Sequence, residues 1–256
     1  MMIAFFMYKT SKGAAYQQSE QGGNSLKEVL RQEKKYLITI EDYYRLSAKL
    51  EKVLHLDGHS SGDGYQIRSL YFDSLDDIDW QEKEEGLELR KKIRLRNYGS
   101  DSAFAKLEMK QKQGSNQKKR SLSLKKEDAL ALVNGNYSVL LEQQSDFALE
   151  CFYKMSQYCY RPKTIIEYTR KAFVAKENNI RITFDHHIIG TESSYNIFAN
   201  DLLQYHLLDP ALVILEVKYN GFLLSYIKDL LDEVDGSELS ASKYCMGRMI
   251  SKHYRF

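Results

Sequence analysis

The sequence predicts an α+β fold: an eight-stranded antiparallel β-barrel shaped as a tunnel, with helices packed on its outside. Three observations predict it. Eight stretches alternate in polarity or are enriched in β-branched and aromatic residues. In most of them the charged residues fall on one alternating set and the apolar residues on the other. Amphipathic helical stretches lie between some of the strands without a regular βαβ rhythm, and they need an apolar surface to cover.

The elements follow in order. Residues 1–28 read as a disordered leader, because 8–25 are rich in Ser, Gly and Gln, and 29–256 form one folded domain. The short apolar opening Met1–Met7 has no basic residues before it, so it reads as neither signal peptide nor anchor. In strand 31–40, Arg31, Glu33 and Lys35 alternate with Gln32, Lys34 and Tyr36. A helix over 41–55 begins with an acidic turn and spaces Tyr43, Leu46, Leu50 and Val53–Leu54 along one face. Strand 65–73 comes next, then Trp80, which suits packing between a helix and the barrel.

Strand 88–98 sets Arg90, Lys92, Arg94 and Arg96 against Leu89, Ile93 and Leu95, with Lys91 on the apolar side. Strand 103–112 sets Lys106, Glu108, Lys110 and Lys112 against Ala105, Leu107 and Met109. Strand 118–124 is followed by helices over 126–134 and 145–160. Pro162 and Pro210 precede strands 163–175 and 211–219. Between those two, strand 180–189 opposes Arg181, Thr183 and Asp185 to Ile180, Ile182 and Phe184. In the last strand Glu216 and Lys218 oppose Val213, Leu215 and Val217; helices over 222–234 and 242–252 complete the chain.

A half-wet sheet with its charges in solvent is the ordinary reading of any one such strand. The set argues otherwise. Four cations in a row on one strand face repel each other and need an anion or counter-charges. A closed barrel puts the apolar face under the helices and the charged face inside, where larger barrels hold ligand channels. Arg94, Arg96, Lys110, Arg170, Arg181 and Lys218 then converge on one cavity with Glu216 among them. Such a lining suits phosphate, because Arg offers a planar donor fork and Lys a compact charge. The carboxylates Glu33, Glu108, Asp185 and Glu216 are costly beside a polyanion unless a cation bridges them, and Mg²⁺ or Mn²⁺ is the natural bridge.

Composition narrows the classes. Net charge is only +2, so a basic site must come from local sorting of the 37 Lys and Arg. Cys151, Cys159 and Cys245 have neither metal-ligand nor redox spacing, which points to a reducing, cytoplasmic setting. No apolar run approaches the ~20 residues of a membrane span. P-loop, G-x-G-x-x-G and Ser/His/Asp signatures are missing. The tyrosines sit at packing positions, which argues against nucleic acid as a partner, and His186, His187 and His206 read as surface or structural residues.

An ordered set of motifs carries a family resemblance. Arg31-Gln-Glu33-Lys-Lys35-Tyr36 is similar to the R-x-E-x-K-Y opening of the VTC (vacuolar transporter chaperone) domain. Ser69-Leu-Tyr71-Phe72-Asp73, Lys92-Ile-Arg94-Leu-Arg96-Asn-Tyr98 and Leu107-Glu108-Met-Lys110 continue it. Lys118-Lys-Arg120, Glu167-Tyr168-Thr-Arg170-Lys-Ala172-Phe173 and Arg181-Ile-Thr-Phe-Asp185 follow, then Leu215-Glu216-Val-Lys218-Tyr219 and Ser242-Lys243-Tyr244.

The resemblance implies a triphosphate tunnel metalloenzyme (CYTH-like) fold and a Mn²⁺- or Mg²⁺-dependent polymerase that makes inorganic polyphosphate from a nucleoside triphosphate. It implies phosphate contacts for Lys35, Arg94, Arg96, Lys110, Lys118, Arg170, Arg181 and Lys243. Arg120, Tyr168 and Ser242 would assist, and Glu216 would hold the metal. Hydrolytic CYTH-type relatives open with E-x-E-x-K, whereas here Arg31 stands for the first Glu, which favours the VTC branch. A tripolyphosphatase or nucleoside triphosphatase of the same fold, and a polyphosphate- or triphosphate-binding module without turnover, are the alternatives.

Overall fold

Alternation along the chain becomes a two-faced sheet. A computed structural model describes residues 31–252, apart from 61, 115, 235, 239 and 241. The expected leader lies outside the described residues. In chain order the strands are β1 (Arg31–Thr39), β2 (His55–Leu56), β3 (Tyr65–Asp73), β4 (Leu89–Asn97), β5 (Phe104–Gln113) and β6 (Asn116–Lys125), followed by β7 (Arg161–Val174), β8 (Arg181–Thr191), β9 (Tyr205–His206), β10 (Leu212–Asn220) and β11 (Ser237–Glu238). The α-helices are α1 (Ile40–Leu50), α2 (Ile78–Glu84), α3 (Lys126–Val133), α4 (Asp146–Gln157), α5 (Ser225–Asp232) and α6 (Lys243–Lys252).

The sheet runs β11-β1-β10-β8-β7-β3-β4-β5-β6, with β2 added on β7 and β9 on β8, and its pairings are antiparallel. Among the described residues this path does not return on itself, so the closed barrel is replaced by an open sheet. One reason is local: β11 occupies the free edge of β1 at Tyr36 and Leu37. The sheet nonetheless curls, since Lys110 on β5 reaches within 3.4 Å of Glu33 on β1.

The convex face is apolar and covered. Ile38, Phe184, Val213, Leu215 and Val217 pack with Tyr43, Leu46 and Leu50 of α1 and with Ile227 of α5. Ile93, Leu95, Leu107 and Met109 pack with Ala129 and Leu132 of α3 and with Ala148, Cys151 and Met155 of α4. Thr39 caps α1 by accepting from the Asp42 N–H, and Glu41 and Asp42 place negative charge at that N-terminus. The helix stops at Leu50, short of the expected 41–55, because His55 and Leu56 pair with β7 instead.

One helix departs from the expected outer layer. α6 packs on the inner face of β7: a Cβ at Gly247 would lie 2.8 Å from both Thr164 Oγ1 and Ile166 Cδ1. Tyr244 stacks on Tyr71 and joins Ile67, Ile166, Tyr168 and Ile214 in a cluster on the concave side. The short helix α2, which the sequence pattern did not single out, starts where the Asp73 carboxylate accepts the backbone N–H groups of Asp79 and Trp80. Trp80 packs against the same cluster as Tyr71 and Tyr244.

Candidate functional site: a basic concave face

Strand alternation sends the charged side chains to the concave face, and the curl brings distant strands within reach of one another. Three ion clusters result. On β4 and β5, Arg94 Nε donates to Glu108 Oε2 at 2.8 Å and Arg94 Nη1 donates to the Tyr71 hydroxyl at 3.0 Å. Lys119 Nζ of β6 lies 2.6 Å from Glu108 Oε1, and Arg96 Nε is 3.8 Å from Oε2. Burial would raise the Glu108 carboxyl, but Arg94, Arg96 and Lys119 outweigh it and hold it down at about 2. Arg96 Nε is buried without a hydrogen-bond partner.

On β1 and β10, Glu33 and Glu216 share two lysines. Lys35 Nζ lies 3.2 Å from Glu33 and 3.5 Å from Glu216; Lys218 Nζ lies 3.8 Å and 2.9 Å from the same pair. Lys110 completes the group from across the curl. Burial opposes ionisation of Glu216, yet Lys218 and Lys35 hold it well below the usual carboxylate range.

On β7 and β8, Arg170 forms a two-pronged pair with Asp185 at 2.6 and 2.7 Å, and its Nη2 stands 3.9 Å from Glu216. Lys243, the first residue of α6, reaches the same Asp185 at 2.6 Å and lies 4.8 Å from the Tyr168 ring centre. Lys92 Nζ donates to Ser242 Oγ at 2.5 Å. Burial, then the nearby Lys35 and Lys83, lower the Lys92 ammonium to about 8. Arg181 sits at the end of this face, 2.6 Å from Asp57 and 3.3 Å from the Tyr65 hydroxyl.

The structure thus brings together Lys35, Arg94, Arg96, Lys110, Tyr168, Arg170, Lys218, Ser242 and Lys243 with Glu33, Glu108 and Glu216. It does not bring Lys118 and Arg120 with them. Lys118 pairs with Gln111 and Arg120 with Met109, positions on the convex side. Arg120 binds Glu150 of α4 and Gln111, and lies over the Phe147 ring. Lys119, between them, is the inward residue. The signal was in the sequence: Leu122 and Leu124 share the parity of 118 and 120, so 119, 121 and 123 face inward. Lys92, bound to Ser242, is another cation of the lining that was not singled out for a role.

The two carboxylate groups also separate. Glu108 is engaged by Arg94 and Lys119, whereas Glu33 and Glu216 stand side by side. Among the described residues no group of three or more His, Cys, Asp or Glu side chains is arranged to hold a metal alone. Two carboxylates with phosphate oxygens are nevertheless a donor set that Mg²⁺ or Mn²⁺ accepts. Among the described residues no helix is long and apolar enough to cross a membrane.

The VTC domain family matches residues 30–252. The chain belongs to that family. This VTC domain shares its fold with a candidate adenylyl cyclase from Hippeastrum whose description reports a dominant triphosphatase activity. The two are 12% identical, with 85% of this chain and 94% of that one covered, at a TM-score of 0.53. A candidate adenylate cyclase from Bacillus halodurans is 14% identical over 80% of this chain and 88% of its own, at a TM-score of 0.46. At 12% identity the likeness to the Hippeastrum protein speaks to the fold alone. A comparison with curated proteins finds no significant match.

Proposed function

We propose that this VTC domain is a metal-dependent polyphosphate polymerase that transfers the γ-phosphoryl group of a nucleoside triphosphate to the end of a polyphosphate chain. The observation that carries the reading is the continuous run of cations on one concave face, in which carboxylates are fewer and each is engaged. In the transfer, a terminal oxygen of the chain bonds to the γ-phosphorus and the β–γ bridging bond breaks, releasing the nucleoside diphosphate. Such transfer asks the protein for positioning and charge neutralisation rather than covalent chemistry.

Arg94 and Arg96 lie on neighbouring positions of one strand face and orient the transferring group with Lys35 and Lys110. Lys119, Arg170, Arg181, Lys218 and Lys243 hold the remaining phosphates. Tyr168 and Ser242 position Lys243 and Lys92. Glu216 with Glu33 would hold Mn²⁺ or Mg²⁺, which would neutralise charge on the phosphates. The three cysteines, without metal-ligand or redox spacing, support a reducing, cytoplasmic setting.

A tripolyphosphatase or nucleoside triphosphatase is the second reading, favoured by the triphosphatase activity reported for the Hippeastrum protein of the same fold. Arg31 at the start of β1, where hydrolytic relatives carry an acid, favours the polymerase. Incubation with ATP and Mn²⁺ separates the readings. A polymerase gives nucleoside diphosphate and a ladder of phosphate chains on a gel, a hydrolase gives free phosphate alone, and a binding module gives tight tripolyphosphate binding without turnover.

A further inference from the structure

At one end the basic face gives way to an aromatic rim. Tyr98 lies just past the end of β4, two residues after Arg96. Its ring stacks on His59, with centroids 5.9 Å apart and planes 18° apart, and meets Tyr65 at 6.1 Å. Lys106, paired with Arg96 in the sheet, places its ammonium 5.8 Å from the Tyr98 ring centre. Tyr65 in turn pairs with Arg170 across β3 and β7.

Asp57 ties the His59 backbone and the Tyr65 hydroxyl together. Its carboxylate accepts from the His59 and Ser60 backbone N–H groups at 3.0 Å each, from the Tyr65 hydroxyl at 3.3 Å and from Arg181 at 2.6 Å. Two of the rings face solvent, Tyr98 at 40% exposure and His59 beside it, while Tyr65 is half-buried against the Ile67–Tyr71 cluster. Polyphosphate has no use for ring faces. A nucleotide does, because it carries an aromatic base beyond its phosphates.

We infer that Tyr98, His59 and Tyr65 form a stacking platform for the base of a nucleoside triphosphate, so that the nucleotide enters base-outward at this end. The inference rests on the phosphate-binding reading above and adds the recognition of the base. The rim meets a base with ring faces, and stacking tolerates any base. Purines, with the larger face, bind more tightly than pyrimidines, and ATP and GTP bind alike.

Calorimetry on the whole chain tests this with two probes, tripolyphosphate and the β,γ-imido analogue of ATP. Tyr98→Ala is expected to weaken the ATP analogue about tenfold and to leave tripolyphosphate within about twofold. Tyr98→Phe, which keeps the ring and serves as the folding control, is expected to bind both as the wild type does. Equal loss of both probes in Tyr98→Ala, or no loss of either, overturns the platform. So does a wild-type protein that binds the ATP analogue no more tightly than tripolyphosphate. A wild-type protein that binds neither probe overturns the phosphate reading together with the platform.

Discussion

Neighbouring lysines on opposite faces of β6 provide the sharpest test of the concave site. Lys119→Met and Lys118→Met remove the same charge at adjacent positions. Lys119 points inward, 2.6 Å from Glu108, with 53% of its side chain still exposed. A hydrogen bond to a charged group contributes about 1.5–3 kcal/mol. Half exposure and the competing pull of Glu108 place Lys119 at the lower end, about 1.5 kcal/mol, or roughly tenfold in the Kd for tripolyphosphate. Lys118 faces outward opposite Gln111, so its loss changes the Kd by less than about twofold, as expected of a screened surface charge. Neither variant should unfold, because Arg94 still pairs with Glu108. Calorimetry at fixed salt reads the difference. Equal losses, or a larger loss for Lys118→Met, would mean that the β6 register does not set the site.

Three further expectations follow from the same geometry. Arg94→Ala should weaken tripolyphosphate binding by about 1.5–3 kcal/mol while the far-UV spectrum stays native, since Lys119 and Arg96 continue to face Glu108; unchanged binding would remove Arg94 from the lining. Glu216→Gln should raise the Mn²⁺ concentration for half-maximal activity by at least about tenfold, the lower end of what even an outer partner of a metal ligand costs, without weakening metal-free tripolyphosphate binding; an unaltered metal titration refutes the metal role of Glu216. Lys92, lowered to about 8, should lose its charge as the pH rises through that value, so phosphate affinity should fall from pH 7 to pH 9. Because the unfolded lysine keeps its proton up to about 10.4, the same group should make stability rise with pH across the window from about 8 to 10.4. Lys92→Met should flatten both profiles, and a wild-type profile that is already flat counts against the buried ammonium.

Much of this architecture was readable along the chain because strand alternation is local. Whether Arg94 and Ile93 face opposite ways depends only on two neighbouring residues being in a strand, and the apolar partners declare which face is covered. The same rule, applied to Leu122 and Leu124, already separates Lys119 from Lys118 and Arg120; the motif Lys118-Lys-Arg120 drew attention to the wrong parity. The ordered motifs likewise carried the family.

What the tertiary structure decided depends on strands far apart in sequence. Sheet order and curl put Lys110 beside Glu33, and they divide the carboxylates into a Glu108 group locked by arginine and a Glu33–Glu216 pair held by lysine. No local pattern encodes that division, because it arises from which strands pair and how tightly the sheet bends. The side of the sheet that α6 covers was hidden for a related reason. An amphipathic helix seeks an apolar surface, and its own sequence does not say that the surface lies inside the curl, where only Gly247 leaves room against Thr164 and Ile166.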